Sequence, residues 1–339
     1  MIITGIPFDE KLNIGVLSKV FERKRISNCY KYFWFQAILE NIVEDKVVFT
    51  YDEILNQMIE DAWYMVTEFK LRLGPCNTTD NLEEVVKYIH SKSNISSTAK
   101  RGSVIQYLKE NTDPKIKKYK KCLIENVPYC MQSPFYSSIK NPGQSKVYKI
   151  NEQAHLLYYF VALEGIFSKF KINEEWVDYL IRNRTILLEW VRYNLIGYLQ
   201  DRNPNVPGIV EKIQKPEKRD LRRVSDYWKT IIEIDPKIKE IYQKVSLKDK
   251  PISIDHFVPW QYLSHDELWN LSPTTKNINS MKGNQLPNLY EDFERLAELQ
   301  HKALMMCNDY EIVRHKFKIC LDYHVNSTEI RNSLYQPDI

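Results

Sequence analysis

Residues 251–287 read PISIDHFVPWQYLSHDELWNLSPTTKNINSMKGNQLP, and within them an acid and an imidazole stand side by side at Asp255 and His256. An amide follows at Asn270, 14 positions after His256, and a second at Asn279, 9 positions further on. Lys282 closes the set. Carboxylate and amide oxygens suit a hard divalent cation that keeps several of its waters. A neighbouring imidazole can take a proton from water, because the ring is mostly neutral just above pH 7. Such a group of side chains could hold one metal ion, polarise a water and position a phosphodiester. Asp-His alone occurs everywhere by chance, whereas the whole set at these spacings is far rarer.

Short elements must carry these side chains. Ile252 to Val258 is β-prone, and Pro259 would end the strand in a rigid turn. Leu268 to Leu271 supplies a second β-prone piece, and Thr275 to Lys282 a short helix stopped near Gly283. In a regular strand Asp255 and His256 point to opposite faces. Both can serve one site only if the strand becomes irregular there, and Pro259 makes that plausible.

The order strand, loop, strand, helix resembles the ββα-metal motif of HNH endonucleases. The resemblance rests on Asp255-His256-x-x-Pro259, Trp269-Asn270-Leu271, Asn279-x-x-Lys282 and Leu286-Pro287. In spacing it is strongest to the HNH nuclease of RNA-guided CRISPR effectors. The resemblance implies that His256 is the general base, that Asp255 and Asn279 bind a single Mg²⁺ or Mn²⁺, and that Asn270 pins the loop carrying His256. Lys282 would sit near the scissile phosphate or organise the ligand helix. Asn279 stands where many members have His, which favours Mg²⁺ or Mn²⁺ over Zn²⁺. The implied activity is hydrolysis of DNA, one strand at a time, with a role in restriction or phage defence. Double-strand cleavage would need a homodimer or two encounters, and a partner protein supplying activation stays open. So do an RNase and a catalytically silent module that binds nucleic acid or a partner.

The remaining chain reads as helical. Hydrophobic residues make up 43% and charged residues 27% of 339, which fits a globular protein rather than a disordered or fibrous one. Tyr30–Val43 has apolar residues at helical spacing, with Asn28 as a cap, and Tyr32-Phe33-Trp34-Phe35 as its buried face. Residues 51–73 predict a helix ended by Gly74-Pro75, and a further helix runs from Asp80 to His90. His155–Phe170 and Glu174–Leu199 read as long helices, and Glu291–Met306 and Glu311–Tyr323 as C-terminal ones. The predicted fold is mainly α with a small α+β insert. Its divisions are a helical N-terminal region (1–140), a helical region with a basic segment (141–235), the HNH motif (236–290) and C-terminal helices (291–339).

A net charge of +4 permits nucleic-acid contact without requiring it, so local clusters matter more. Residues 109–121 hold six Lys against two acids. A solvated helix face is the simplest account of that run, and contact with a nucleic-acid backbone is the alternative. The segment before the motif offers Lys212, Lys215, Lys218, Arg219, Arg222 and Arg223 as a DNA-facing element, although a salt-bridged surface helix would look the same. His265 reads as a solvent-exposed loop residue, and Trp260 and Trp269 as small-domain core. Six cysteines without a CxxC pair exclude the usual structural zinc spacing and point to free thiols in a reducing cytoplasm. The longest apolar run, Leu156–Leu163, is too short to span a bilayer, and the start of the chain does not read as a signal peptide.

Overall fold

Helix α1 (Tyr30–Asn41) is apolar around most of its circumference, so it can be stable only at the centre of a core. Phe33, Trp34, Phe35 and Ile38 on it are fully buried. The computed structural model describes residues 5–136, 138–214, 221–263, 266–288 and 290–322. The chain divides into two compact units, Met1–Lys215 and Pro216–Ile339. The boundary expected near residue 140 falls inside the first.

In the first unit, β1 (Val48–Thr50) leads directly into α2 (Tyr51–Thr67). Thr50 caps that helix in a reciprocal box with Glu53, which satisfies orphan N–H groups at both positions. The expected helix over 51–73 is shorter, because the chain turns at Lys70, whose φ is +55°. Helix α3 (Asn81–Lys92) starts at Asp80, whose carboxylate accepts from the N–H groups of Leu82 and Glu83 at 3.0 Å each. Helices α4 (Ser103–Glu110) and α5 (Pro114–Ile124) follow. On α5, Lys120 turns inward to Asp52 and Asn56, while Lys117, Lys118 and Lys121 are exposed.

The long helix expected over His155–Phe170 is not formed. That stretch makes β2 (Tyr158–Ala162) and β3 (Lys169–Ile172), and the three-stranded antiparallel sheet has the order β1-β3-β2. Phe49 and Phe170 face each other across β1 and β3, and the Phe170 ring lies 5.6 Å from that of Trp34. The helix expected over Glu174–Leu199 is two, α6 (Glu174–Arg182) and α7 (Arg184–Arg202), divided at Asn183.

The second unit is built around a two-stranded antiparallel sheet of β4 (Ile252–His256) and β5 (Leu271–Thr275). Helix α8 (Arg222–Ile234) packs on both strands, and so does α9 (Lys276–Lys282). Helices α10 (Glu291–Asp309) and α11 (Glu311–Asp322) complete it. The core joins Tyr227, Trp228 and Ile231 of α8 to Phe257, Leu271 and Leu296. Gln300 on α10 donates to the carbonyls of Leu268 and Leu271, and Trp228 Nε1 donates to that of Leu271. These bonds fix the start of β5 without another strand. The protein is mainly α, with two small sheets among the described residues, and no described helix is long and apolar enough to cross a membrane.

Candidate active site

The site is assembled on β4, on the loop that leaves it, and on α9. The β4–β5 register is continuous from Ile252↔Thr275 to His256↔Leu271. The irregularity expected at Asp255-His256 is therefore absent, and the two side chains alternate as in any strand. Ser253 and Asp255 share the face that meets α9. Asn279 donates through Nδ2 to Ser253 Oγ (2.9 Å) and to the Ile254 carbonyl (3.2 Å). Lys282 places Nζ at 3.3 Å from Asp255 Oδ1 and 3.1 Å from Oδ2, and donates to the His256 carbonyl at 2.7 Å. Thr275 starts this helix as an N-cap, and Gly283, with φ +52°, ends it where a side chain would be strained.

Asp255 is buried, at 4% exposure, and so needs partners. Besides Lys282 it accepts from the Tyr242 hydroxyl. Burial raises its carboxyl above the usual range, while Tyr242, Lys282 and His256 pull it back toward the charged form. Burial and the facing carboxylate push the Tyr242 phenol upward, keeping it a donor. Tyr242 is set in turn by the buried Glu240, whose carboxylate accepts from the backbone N–H groups of Tyr242, Gln243 and Val245.

His256 is directed elsewhere. Its Nε2 meets Asp266 Oδ1 at 2.6 Å, and its ring lies nearly perpendicular to that of Trp260, with centroids 5.8 Å apart. Asn270 is fully buried and spends its whole amide on Val258, accepting from N–H at 2.8 Å and donating to C=O at 2.9 Å. It thereby holds the turn two residues beyond His256. Residues 239–288 match the family model described as HNH endonuclease. This stretch of the second unit is similar to HNH endonucleases. No curated protein and no solved structure matches the chain.

The HNH-like stretch brings Asp255 and Lys282 into direct contact, ties Asn279 to the same strand, and sets Asn270 behind the His256 turn. Among the described residues no group of three His, Cys, Asp or Glu could hold a metal. The donor set nevertheless suits a hard cation that retains water. Asp255 offers carboxylate oxygens now facing an ammonium, a position where positive charge is already accepted. Anchoring the Asn279 amide through its nitrogen leaves Oδ1 without a hydrogen bond among the described residues. HNH nucleases typically use divalent metal ions, and the oxygens of Asp255 and Asn279 are of the chemical type such an ion takes.

The basic segment does not form one described surface. Lys212 is fully buried in the first unit, where its Nζ donates to the Pro207 carbonyl, so it is a structural group and not a surface cation. Arg222 and Arg223 are exposed at the start of α8 in the second unit. Lys215, Lys218, Arg219 and His265 lie outside the described residues. Trp269 is partly buried, and Trp260 faces the His256 ring instead of serving only the core. Three polar residues at the site, Glu240, Tyr242 and Asp266, carry no signal in local sequence. Tyr242 and Asp266 are ordinary loop residues until the fold brings them to Asp255 and His256, and Glu240 acts one step back, on the backbone of Tyr242.

Proposed function

We propose that the chain is a metal-dependent HNH endonuclease that hydrolyses DNA phosphodiester bonds, with Asp255 and Asn279 binding Mg²⁺ or Mn²⁺. A bound divalent ion would stabilise negative charge on the phosphate and on the departing oxygen. His256 takes the proton from the attacking water. Asn270 keeps the turn after His256 fixed, so the ring is presented from a rigid frame. Lys282 ties the Asp255 carboxylate to the His256 carbonyl at the end of β4. The two side chains leave opposite faces of that regular strand, so they would act on a phosphodiester from different sides of it and not from one shared cluster. A likeness in spacing to the HNH nuclease of RNA-guided CRISPR effectors supports the same roles. A place in restriction or phage defence belongs to this proposal too, as the setting of comparable free-standing HNH proteins.

The observation that carries this reading is the anchoring of α9 on β4, which sets the Asn279 amide and the Asp255 carboxylate on the same strand face within a matched HNH domain. The test is digestion of plasmid and of matched DNA and RNA oligonucleotides with Mg²⁺ or Mn²⁺, comparing wild type with His256→Ala. Loss of a general base should lower the rate by at least about 10²-fold. Nucleic-acid affinity should hold, because Lys282 bonds the backbone of His256 and not its ring. Intact DNA with the unmodified protein in both metals would reject the proposal, and preferential cutting of RNA would replace its substrate.

A further inference from the structure

We propose that Asp266 is a positioning residue that fixes the tautomer and orientation of the His256 ring, so that Nδ1 is the nitrogen that meets water. The inference rests on the nuclease reading above for its kinetic consequence, and on geometry for the rest. Asp266 Oδ1 lies 2.6 Å from His256 Nε2, and the two side chains are only 21% and 11% exposed, so water competes weakly for the bond. An ionised carboxylate can only accept, so in the neutral ring that a general base requires, the proton sits on Nε2 and the lone pair on Nδ1. Nδ1 makes no hydrogen bond among the described residues. Trp260 closes one side of the ring.

Asp266 is itself set from behind. It lies just before the turn Leu268–Asn270, in which the Asn270 N–H donates to the Glu267 carbonyl at 2.9 Å. Asn270 thus holds both walls of the loop, Val258 after the histidine and Glu267 beside the aspartate. A ring gripped at one nitrogen and fenced by an indole loses little orientational freedom when its other nitrogen takes a proton. This arrangement follows from a carboxylate ten positions after His256, which the metal-binding set does not include.

The test compares wild type, Asp266→Asn and Asp266→Ala as full-length protein. Imidazole NMR of ¹⁵N-histidine-labelled protein should show a downfield, slowly exchanging Hε2 proton for His256 that disappears in Asp266→Ala. Single-turnover cleavage at saturating enzyme and metal should fall by about 10²-fold in Asp266→Ala. Affinity for DNA should stay within twofold of wild type. Asp266→Asn keeps an acceptor oxygen and should recover part of the rate. An Hε2 signal unchanged in both variants would overturn the proposal, as would a rate loss matched by an equal loss of affinity. If wild-type protein cuts nothing while the Hε2 signal still depends on Asp266, the nuclease reading fails and the ring-holding role stands.

Discussion

Asn270 shows how one side chain can replace a rung of sheet. The β4–β5 ladder ends at His256↔Leu271, yet the next two residues are still held: Phe257 N–H donates to the Asn270 carbonyl, and Val258 exchanges two bonds with the Asn270 amide. Truncation to Asn270→Ala would leave a partly buried N–H and C=O of Val258 without their side-chain partners. A fully buried loss costs roughly 1–3 kcal/mol, and water can reach these two groups in part, so urea unfolding should show a destabilisation of roughly 1–4 kcal/mol. Cleavage should drop as well, because the His256 turn loses its frame. Asn270→Asp should be no better than Ala, since it retains the acceptor but turns a carboxylate oxygen toward the Val258 carbonyl. Wild-type stability in Asn270→Ala would show that this frame is dispensable. The importance of the amide at position 270 was legible from spacing, whereas its pairing with Val258 needed the fold.

At the scale of elements, α3 begins on a capping group that works against its own charge. Asp80 is buried at 5% exposure, abuts Gly74, and has its carboxyl pushed up to about 6 by burial, although two backbone N–H bonds and the Tyr30 hydroxyl oppose the shift. A folded-state value above the unfolded one means that its favourable contribution is complete below the ordinary value of 3.8 and is lost as pH rises through about 6. Asn caps a helix as well as Asp without ionising. Asp80→Asn should therefore melt several degrees higher than wild type at pH 7.5, with the gap closing by pH 4. Circular dichroism melts at the two pH values check this, and a variant equally destabilised at both would refute it. Elements of this kind were legible where their signals are local. The cap at Asp80, the apolar run of α1 and the start and stop of the short helix at Thr275 and Gly283 each depend on residues a few positions apart. Asn28, expected to cap α1, stands one place before the N-cap Cys29, which makes no side-chain cap bond. Strands β2 and β3 were misread as helix because Leu156–Phe160 is a short apolar run that fits either period. What decides it is β1, more than a hundred residues earlier, which pairs with β3. The same reason hid Tyr242, whose role depends on a contact with Asp255 and not on its neighbours in sequence.

For the whole molecule, the lysine run on α5 and the chemical groups singled out above fall in different units. Every residue proposed for hydrolysis, and those that support it from Tyr242 to Lys282, belongs to the second unit, which has its own core. The first unit has an exposed basic face on α5, where Lys117, Lys118 and Lys121 make no ion pair among the described residues and Ile116, Lys120 and Leu123 turn inward. Bonds to phosphate release counterions, and each neutralised phosphate steepens the dependence of log K on log salt by about 0.9 for duplex DNA. If α5 contacts the backbone, replacing these three lysines by alanine should weaken DNA binding and reduce that slope by about two to three. Cleavage at saturating enzyme should be unchanged, because no catalytic group is touched. Residues 216–339 expressed alone should unfold cooperatively and show the same pattern, retaining the saturated rate while losing affinity. Fluorescence anisotropy from low to moderate salt, alongside single-turnover cleavage, separates the two effects. An unaltered slope in the triple variant would return the lysine run to a solvated helix face, and an inactive but folded fragment would mean that the first unit supplies part of the chemistry.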